Sequence, residues 1–465
     1  MLAVTSPGFV VFAALLVGLW YWCAPPRRWQ LMLAASALFY FSLDWQGFLI
    51  LLVDAAVVWL CALQKKRGWF ALGLAAALAP LLLLKYYVAA AGGLQAMFGL
   101  RLWQPEILQP LGVGYFTLQL VSYLVDAHRG TILPEKNFAR VLCYTSFFLS
   151  ITQGPFNRYG ELMPQLENPT RWDSRRVWNG AMRCFWGYFK KVVVADRAAV
   201  VVSAAFSNPA ALDRSQLLLG TVLYSFQLYA DFSGYTDIVL GVGEALGLSL
   251  PENFRQPFLS ATVKELWSRW HISLSRWLKD YVYIPLGGSR CKPWRRDVNL
   301  VATFLVSGIW HGAGLTYLLW GFLHGAFQAL ENHLPWRRAI TKGWARLVGI
   351  AGTFSIFVFT FTIFRASSLS NAAAYFSGIL HNSGHDVFSN YWELGLTTRQ
   401  EQIFLFAGLA ILIAGDLLRE RGISLRKKIM EAPWPLRWAA YETALLAFLF
   451  MGRFLGGGGF LYARY

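Results

Sequence analysis

Two histidines stand where an apolar sequence can least accommodate them. His311 falls in Gly308-Ile-Trp-His-Gly-Ala-Gly314, inside an apolar run, and His271 in Glu265-Leu-Trp-Ser-Arg-Trp-His-Ile-Ser-Leu-Ser275. A neutral imidazole, with an unperturbed pKa of about 6.5, can take the proton from a hydroxyl, such as a sugar hydroxyl, attacking a thioester. Burial in lipid favours the uncharged ring, the form that acts as a base. For a helix starting near Asn299, His311 lies ~18 Å along it at 1.5 Å per residue. That is slightly past the middle of a hydrocarbon core of ~30 Å. An ionisable residue at that depth is costly and points to function; the competing reading is a histidine bridging two helices. Gly308, Gly312 and Gly314 allow close approach by a neighbouring helix or a substrate. For His271 the plainer reading, a core histidine hydrogen-bonded to backbone, is at least as well supported by position alone.

The residues around them set further expectations. Lys264 to Tyr281 has helical periodicity, with Trp267, Trp270, Leu274, Trp277, Leu278 and Tyr281 on one face and cations on much of the other. This predicts an amphipathic helix lying in the membrane interface, with His271 inside its apolar stripe. Asp231 and Asp237 bound the polar heptapeptide Asp-Phe-Ser-Gly-Tyr-Thr-Asp, read as an interruption of a helix. Their carboxylates either line a cavity or cap helix ends. Glu244 and Asp54 sit in apolar runs and are expected to pair. His324, thirteen residues after His311, falls on the opposite face of a continued helix, as a packing or supporting residue rather than a second base. His128, His333, His381 and His385 lie near polar loops, where solvation is expected. Cys23, Cys61, Cys143, Cys184 and Cys291 have no paired spacing, so neither a disulfide framework nor a metal site is expected.

These residues must be positioned by a chain built for lipid. Of 465 residues, 56% are hydrophobic and only 14% charged, against ~25% charged in soluble domains. Apolar stretches recur at 8–24, 47–63, 110–125, 299–324, 345–364, 402–418 and 438–455, and about a dozen spans are expected in all. The net charge of +17 is not a nucleic-acid signal. Its cations gather in short loops, Arg27-Arg28, Lys65-Lys66-Arg67 and Arg290 to Arg296, as the positive-inside rule requires. The first clusters then share the cytoplasmic side and the N-terminus lies outside. No basic n-region precedes residues 8–24, which read as a retained helix. The stretch 366–401, polar and poor in cations, suits an external loop. No internal repeat or second domain is evident over 1–465.

Residues 224–325 resemble the membrane-bound O-acyltransferase superfamily, in its bacterial alginate O-acetyltransferase and teichoic acid D-alanyltransferase branch. The matching stretches are Gln227 to Asp237, Leu250 to Phe254, Glu265 to Ser275, Asp280 to Gly288 and Val306 to Ala313. Weaker similarity covers Pro110 to Gln119, Gln153 to Arg158 and Trp186 to Lys191. Phe156-Asn157 departs from the pattern, since an aliphatic residue commonly follows that proline. The resemblance implies an all-α polytopic membrane protein. Its fold would be a single domain: a ring of about a dozen tilted helices around a central funnel or tunnel, with interfacial or re-entrant helices near 250–298. It implies that His311 is catalytic and that His271 lies near the same tunnel and is also needed. Asp231, Ser233, Asp237, Asn253, Trp267, Trp270, Trp310 and His324 are candidates for substrate binding or tunnel lining. No bound cofactor is expected. The acyl donor would be acetyl-CoA or an acyl-carrier-protein thioester on the cytoplasmic face of the bacterial inner membrane. The acceptor would be an exported polysaccharide or a periplasmic transferase partner. A transporter would show charged residues in several spans and inverted repeats, and a scaffold would not need both histidines.

Overall fold

A computed structural model describes residues 2–64, 66–100, 110–168, 170–334, 340, 343–383, 398–454 and 459–460. The expectations resting on Lys65, His385 and the rest of the 384–397 stretch therefore lie outside the described residues. The described residues form helices joined by turns and loops, with no strand among them, only one isolated bridge between Phe254 and Trp270.

The N-terminal helices are α1 (Pro7–Trp22), α2 (Arg28–Leu43), α3 (Trp45–Ala62), α4 (Arg67–Leu81), α5 (Tyr87–Phe98) and α6 (Val113–Arg129). The central set is α7 (Phe138–Thr145), α8 (Tyr159–Glu167), α9 (Ser174–Phe189), α10 (Asp196–Ser207), α11 (Arg214–Leu246), α12 (Val263–Arg269), α13 (Ile272–Leu278), α14 (Pro293–His311) and α15 (Leu315–His333). The C-terminal set is α16 (Gly343–Arg365), α17 (Leu369–His381), α18 (Arg399–Glu420), α19 (Leu425–Glu431) and α20 (Trp434–Met451). Trp45–Ala62, Arg67–Tyr86, Gly343–Arg365 and Arg399–Glu420 are each long and apolar enough to cross a membrane, and Pro7–Trp22 is a shorter apolar helix. Their outward faces carry exposed Leu15, Val53, Leu347 and Ile403, an arrangement suited to lipid rather than water.

The pillar of the fold is α11. It runs 33 residues, ~50 Å at 1.5 Å each, from an Asp213–Gln216 capping box to Gly247 in the left-handed conformation, and nearly all of it is buried. The helix break expected at Asp231 to Asp237 does not occur. The polar heptapeptide stays helical because its carboxylates are neutralised sideways by α9 and the turn after it. Gly180 and Gly187 on α9 meet Gly234 and Gly241 on α11 at the same seven-residue spacing. A Cβ on Gly187 would stand 2.5 Å from the Gly234 carbonyl, and one on Gly180 2.4 Å from that of Gly241. Small residues let the two backbones touch, and this brings Lys190 and Lys191 to Asp237 and Asp231.

Among the described residues three π-helical turns, Leu82–Tyr86, Lys190–Ala195 and Lys279–Tyr283, interrupt the regular ladder. Each turns charged or polar side chains onto other elements: Lys85, the Lys190–Lys191 pair, and Asp280 with Tyr281. Such turns are frequent at functional sites.

Other expectations are revised by the packing. Part of the 366–401 stretch is helical: Leu369–His381 packs on α11, with Tyr375 donating to the Leu217 carbonyl at 2.8 Å. Glu244 pairs with Arg426 at 2.8 Å as expected. Asp54 is buried in α3 without an ion-pair partner among the described residues, so the expected pairing fails. His128, His333 and His381 are exposed, as expected near polar loops; His128 also stacks on Phe70, ring centroids 4.2 Å apart, and His333 pairs with Asp297 at 2.6 Å. The described cysteines are all free.

Candidate active site

The single apolar span read over 299–324 is a hairpin. Its first helix, α14, begins at Pro293 and ends on His311; Gly312 is extended, and Gly314 opens α15. Two contacts force the turn and the close pairing that follows. A Cβ on Gly308 would lie 2.4 Å from the Tyr317 carbonyl, and one on Gly312 2.3 Å from the Tyr317 ring. His311 is therefore not mid-helix but the last residue of α14, ~27 Å from its start at 1.5 Å per residue. His324 does not continue the same helix; it lies on the antiparallel partner.

The amphipathic helix expected over Lys264 to Tyr281 is likewise broken, into α12 and α13, with His271 between them at φ 43°, ψ 52°. That left-handed backbone is uncommon for a residue with a Cβ and is found where surroundings over-determine it. Here they do. Ile272 N–H donates to the Asn253 carbonyl at 3.1 Å, and Arg255 N–H to the Arg269 carbonyl at 2.9 Å. The Asn253 side-chain oxygen accepts from Ser273 N–H at 3.2 Å and Ser273 Oγ at 2.6 Å. The chain of 253–255 thus pairs with the break and takes groups a continuous helix would have used. Trp267, Trp270 and Trp277 are buried in protein instead of lying in the interface. Their stripe packs inward because aromatics of α11, α14, α15 and α16 cover it.

These two breaks bring the histidines to one place. The Trp310 indole packs against both rings, with the His311 centroid 4.8 Å away and the His271 centroid 6.3 Å away. Trp310 is held in turn, its Nε1 donating to the Gly114 carbonyl at 3.0 Å. His311, 4% exposed, is walled by Trp320 at 5.2 Å and Phe364 at 5.3 Å. His271, 1% exposed, meets Phe232 at 4.7 Å and stacks with Phe156 at 6.0 Å. Phe156, the departure from the family pattern, stacks on Tyr115 at 4.7 Å, and its N–H is fixed by Ser273 Oγ at 2.9 Å.

The other candidates divide. His324 belongs to a layer behind Trp320. Its Nδ1 accepts from Trp267 Nε1 at 3.2 Å, so in the neutral ring Nε2 carries the proton and donates to Thr360 Oγ1 at 2.9 Å. With both nitrogens committed it supports the wall. Trp270 packs among Phe254, Phe357 and Phe361. Asp231, Ser233 and Asp237 engage the cations of α9 and the π turn. Asp231 pairs with Lys191 at 2.8 Å, and Ser233 accepts from Lys190 at 2.9 Å. Asp237 pairs with Lys190 at 2.5 Å and with Arg183 at 2.9 Å. They do not cap helix ends: they sit mid-helix in buried ion pairs, with Phe232 between them against His271. Among the described residues no cluster of metal-ligating side chains occurs.

Sequence reasoning missed Lys85, whose Nζ donates to the carbonyls of Trp310 at 3.1 Å and His311 at 2.9 Å. The signal was present: a cation directly after the apolar run Leu81 to Leu84, subject to the same cost argument as His311. Lys190 and Lys191 carry a similar signal.

Distances along the helices place the site relative to the basic surface. Trp310 stands ~21 Å along α14 from Arg296, and Gly114 ~21 Å along α6 from His128, at 1.5 Å per residue. The basic end of α6 joins a network with Arg158 and the Lys279–Tyr283 turn: Arg129 donates to the Asp280 carbonyl, Arg158 pairs with Asp280 at 3.0 Å, and Tyr281 donates to Asp126 at 2.8 Å. At the other end, Ala313, Gly314 and Leu315 beside His311 are exposed. The histidine is thus two residues from one surface and far from the other.

Comparison with known proteins bears on this site. The family described as "MBOAT, membrane-bound O-acyltransferase family" matches residues 132–371, which hold both histidines. The chain is 34% identical over 427 residues to a probable alginate O-acetylase of Pseudomonas putida, covering 87% of this chain and 85% of that one. It is 32% identical to a peptidoglycan O-acetyltransferase of Helicobacter pylori, over 77% and 74% of the two chains. A teichoic acid D-alanyltransferase of Bacillus subtilis is 28% identical, over 56% and 69%.

Proposed function

The chain belongs to the membrane-bound O-acyltransferase family, and from that premise we propose that it moves an acetyl group from a cytoplasmic thioester to a hydroxyl of an exported cell-envelope polysaccharide, with His311 as general base. The protein is a multi-pass membrane acyltransferase. The hydroxyl oxygen attacks the thioester carbonyl carbon while its proton passes to the His311 ring. The carbon–sulfur bond then breaks, and the leaving thiolate recovers that proton from the imidazolium. His271 orients the acceptor or the Trp310 indole that both rings pack against.

What carries this reading is the convergence of His271 and His311 on Trp310 inside the matched region. Placement supports it too. If the basic end faces the cytoplasm under the positive-inside rule, a donor arm must span ~21 Å of helix, while an acceptor meets His311 beside the exposed Ala313 and Gly314. A phosphopantetheine arm, some thirteen bonds of ~1.3–1.5 Å from phosphorus to sulfur, approaches that reach, and flexible side chains cover the remainder. His311 is 4% exposed, so substrate entry requires its aromatic wall to yield. The wider architecture we propose is the family's ring of about a dozen tilted helices around a tunnel, in the inner membrane with the N-terminus outside. Acetyl rather than D-alanyl transfer is favoured because the acetylating relatives match the longer share of the chain.

The test is transfer by purified protein in lipid nanodiscs from labelled acetyl-CoA, set beside an acetylated and a D-alanylated carrier protein. Thiol release and label in polysaccharide are measured. Turnover of an acetyl donor with label in the polymer is expected; turnover of the D-alanyl carrier alone would replace this reading.

A further inference from the structure

The residue chosen for general-base work ends a helix, and helix ends are where backbone direction is least constrained. The last four carbonyls of α14 have no partner within the helix. Gly312 N–H takes the Gly308 carbonyl at 3.3 Å. The carbonyls of Trp310 and His311 both receive the Lys85 ammonium, at 3.1 and 2.9 Å. These carbonyls belong to the two peptide planes on either side of the His311 Cα. A group that grips both fixes φ and ψ at residue 311, and with them the direction of its Cα–Cβ bond.

The local fold is shaped to deliver this contact. Pro80 supplies no N–H to the ladder of α4, and the π turn Leu82–Tyr86 follows it. A π turn inserts a residue, so each side chain after it points about 100° away from where α-helical continuation would send it. Leu82 and Leu83 in that turn are half-exposed, on the side suited to lipid, while Lys85 faces inward. A cation is well placed at a helix C-terminus by charge as well as by hydrogen bonding.

We propose that Lys85 is a positioning residue for acyl transfer, holding the His311 imidazole in register with Trp310 and His271. The proposal rests on the reading of His311 as the base. It predicts a loss in turnover rather than in donor binding, because a misplacement of about 1 Å in a reacting group costs about 100-fold.

The experiment compares Lys85→Met, Lys85→Gln and Lys85→Arg with the unmodified protein in nanodiscs. It measures kcat and donor KM, thermal stability, and amide hydrogen exchange in the peptide spanning Gly308 to Tyr317. In K85M, kcat should fall about 100-fold with KM little changed, and exchange at Gly312 to Leu315 should rise; K85R should recover most of both. Exchange reads the clamp without any turnover, so it decides the proposal even if acyl transfer is not the reaction. The proposal is overturned if K85M keeps more than half of kcat, or if exchange is unchanged in folded K85M. It is overturned equally if K85R, folded, is as inactive as K85M. Should K85M fail to fold, K85Q, which keeps two donors, decides by the same criteria.

Discussion

Replacing His311 by phenylalanine tests the chemistry with least disturbance to packing. The ring is held edge-to-face by Trp310, Trp320 and Phe364, at interplanar angles of 68°, 89° and 82°. Phenylalanine keeps an aromatic edge against each wall. Its extra bulk costs ~1–3 kcal/mol of stability. Alanine would open a cavity at ~2–5 kcal/mol, so any loss of activity would mix chemistry with unfolding. Removing a positioned base lowers turnover ~10²–10⁴-fold, or ~2.7–5.4 kcal/mol of barrier at ~1.36 kcal/mol per tenfold. H311F should therefore lose activity far beyond what its lost stability explains. The assay is single-turnover release of thiol from labelled acetyl donor in nanodiscs, normalised to folded protein by size exclusion and thermal melting. Turnover by H311F within tenfold of the unmodified protein would remove His311 from proton transfer.

Further outcomes follow from the same contacts. His271→Asn tolerates the left-handed backbone but deletes the ring facing Phe232 and Trp310; it should melt close to the unmodified protein and transfer at least tenfold more slowly, and a fast H271N would make His271 purely structural. Asn253→Ala strips the acceptor from Ser273 N–H and Oγ, at ~1–3 kcal/mol for buried donors left unpaired, visible as a lower melting temperature. Asp237→Leu leaves Lys190 and Arg183 without their shared carboxylate. It should cost ~3–5 kcal/mol while the surviving folded protein keeps its kcat; normal yield and melting of D237L would refute the structural role. Gly308→Leu drives a side chain into the Tyr317 carbonyl and should separate α14 from α15, abolishing folded protein; recovery of stable G308L would contradict the hairpin.

How much of this was legible beforehand depended on the range of the interaction concerned. Helix ends near Trp22, Leu43 and Ala62 follow from local runs of apolar residues, and His311 stood out because an ionisable group in such a run is costly wherever its neighbours lie. Periodicity failed where distant segments compete for the backbone. Nothing between Lys264 and Tyr281 announces that residues 253–255 will pair with Trp270 to Ile272 and break the helix at His271. Nor do the seven residues from Asp231 to Asp237 reveal that Lys190, Lys191 and Arg183 arrive across a glycine seam, so that the helix need not break to satisfy its carboxylates.

Composition, charge placement and motif residues determined on their own that this is a helical membrane protein and singled out His311 and His271, since each residue's cost in lipid is paid locally. Only tertiary structure decided that α14 stops on His311, that Trp310 packs against both imidazoles, and that Lys85 grips the peptides on either side of His311. Those depend on which backbones can approach closely enough to exchange hydrogen bonds, a property of pairs of segments far apart in the chain.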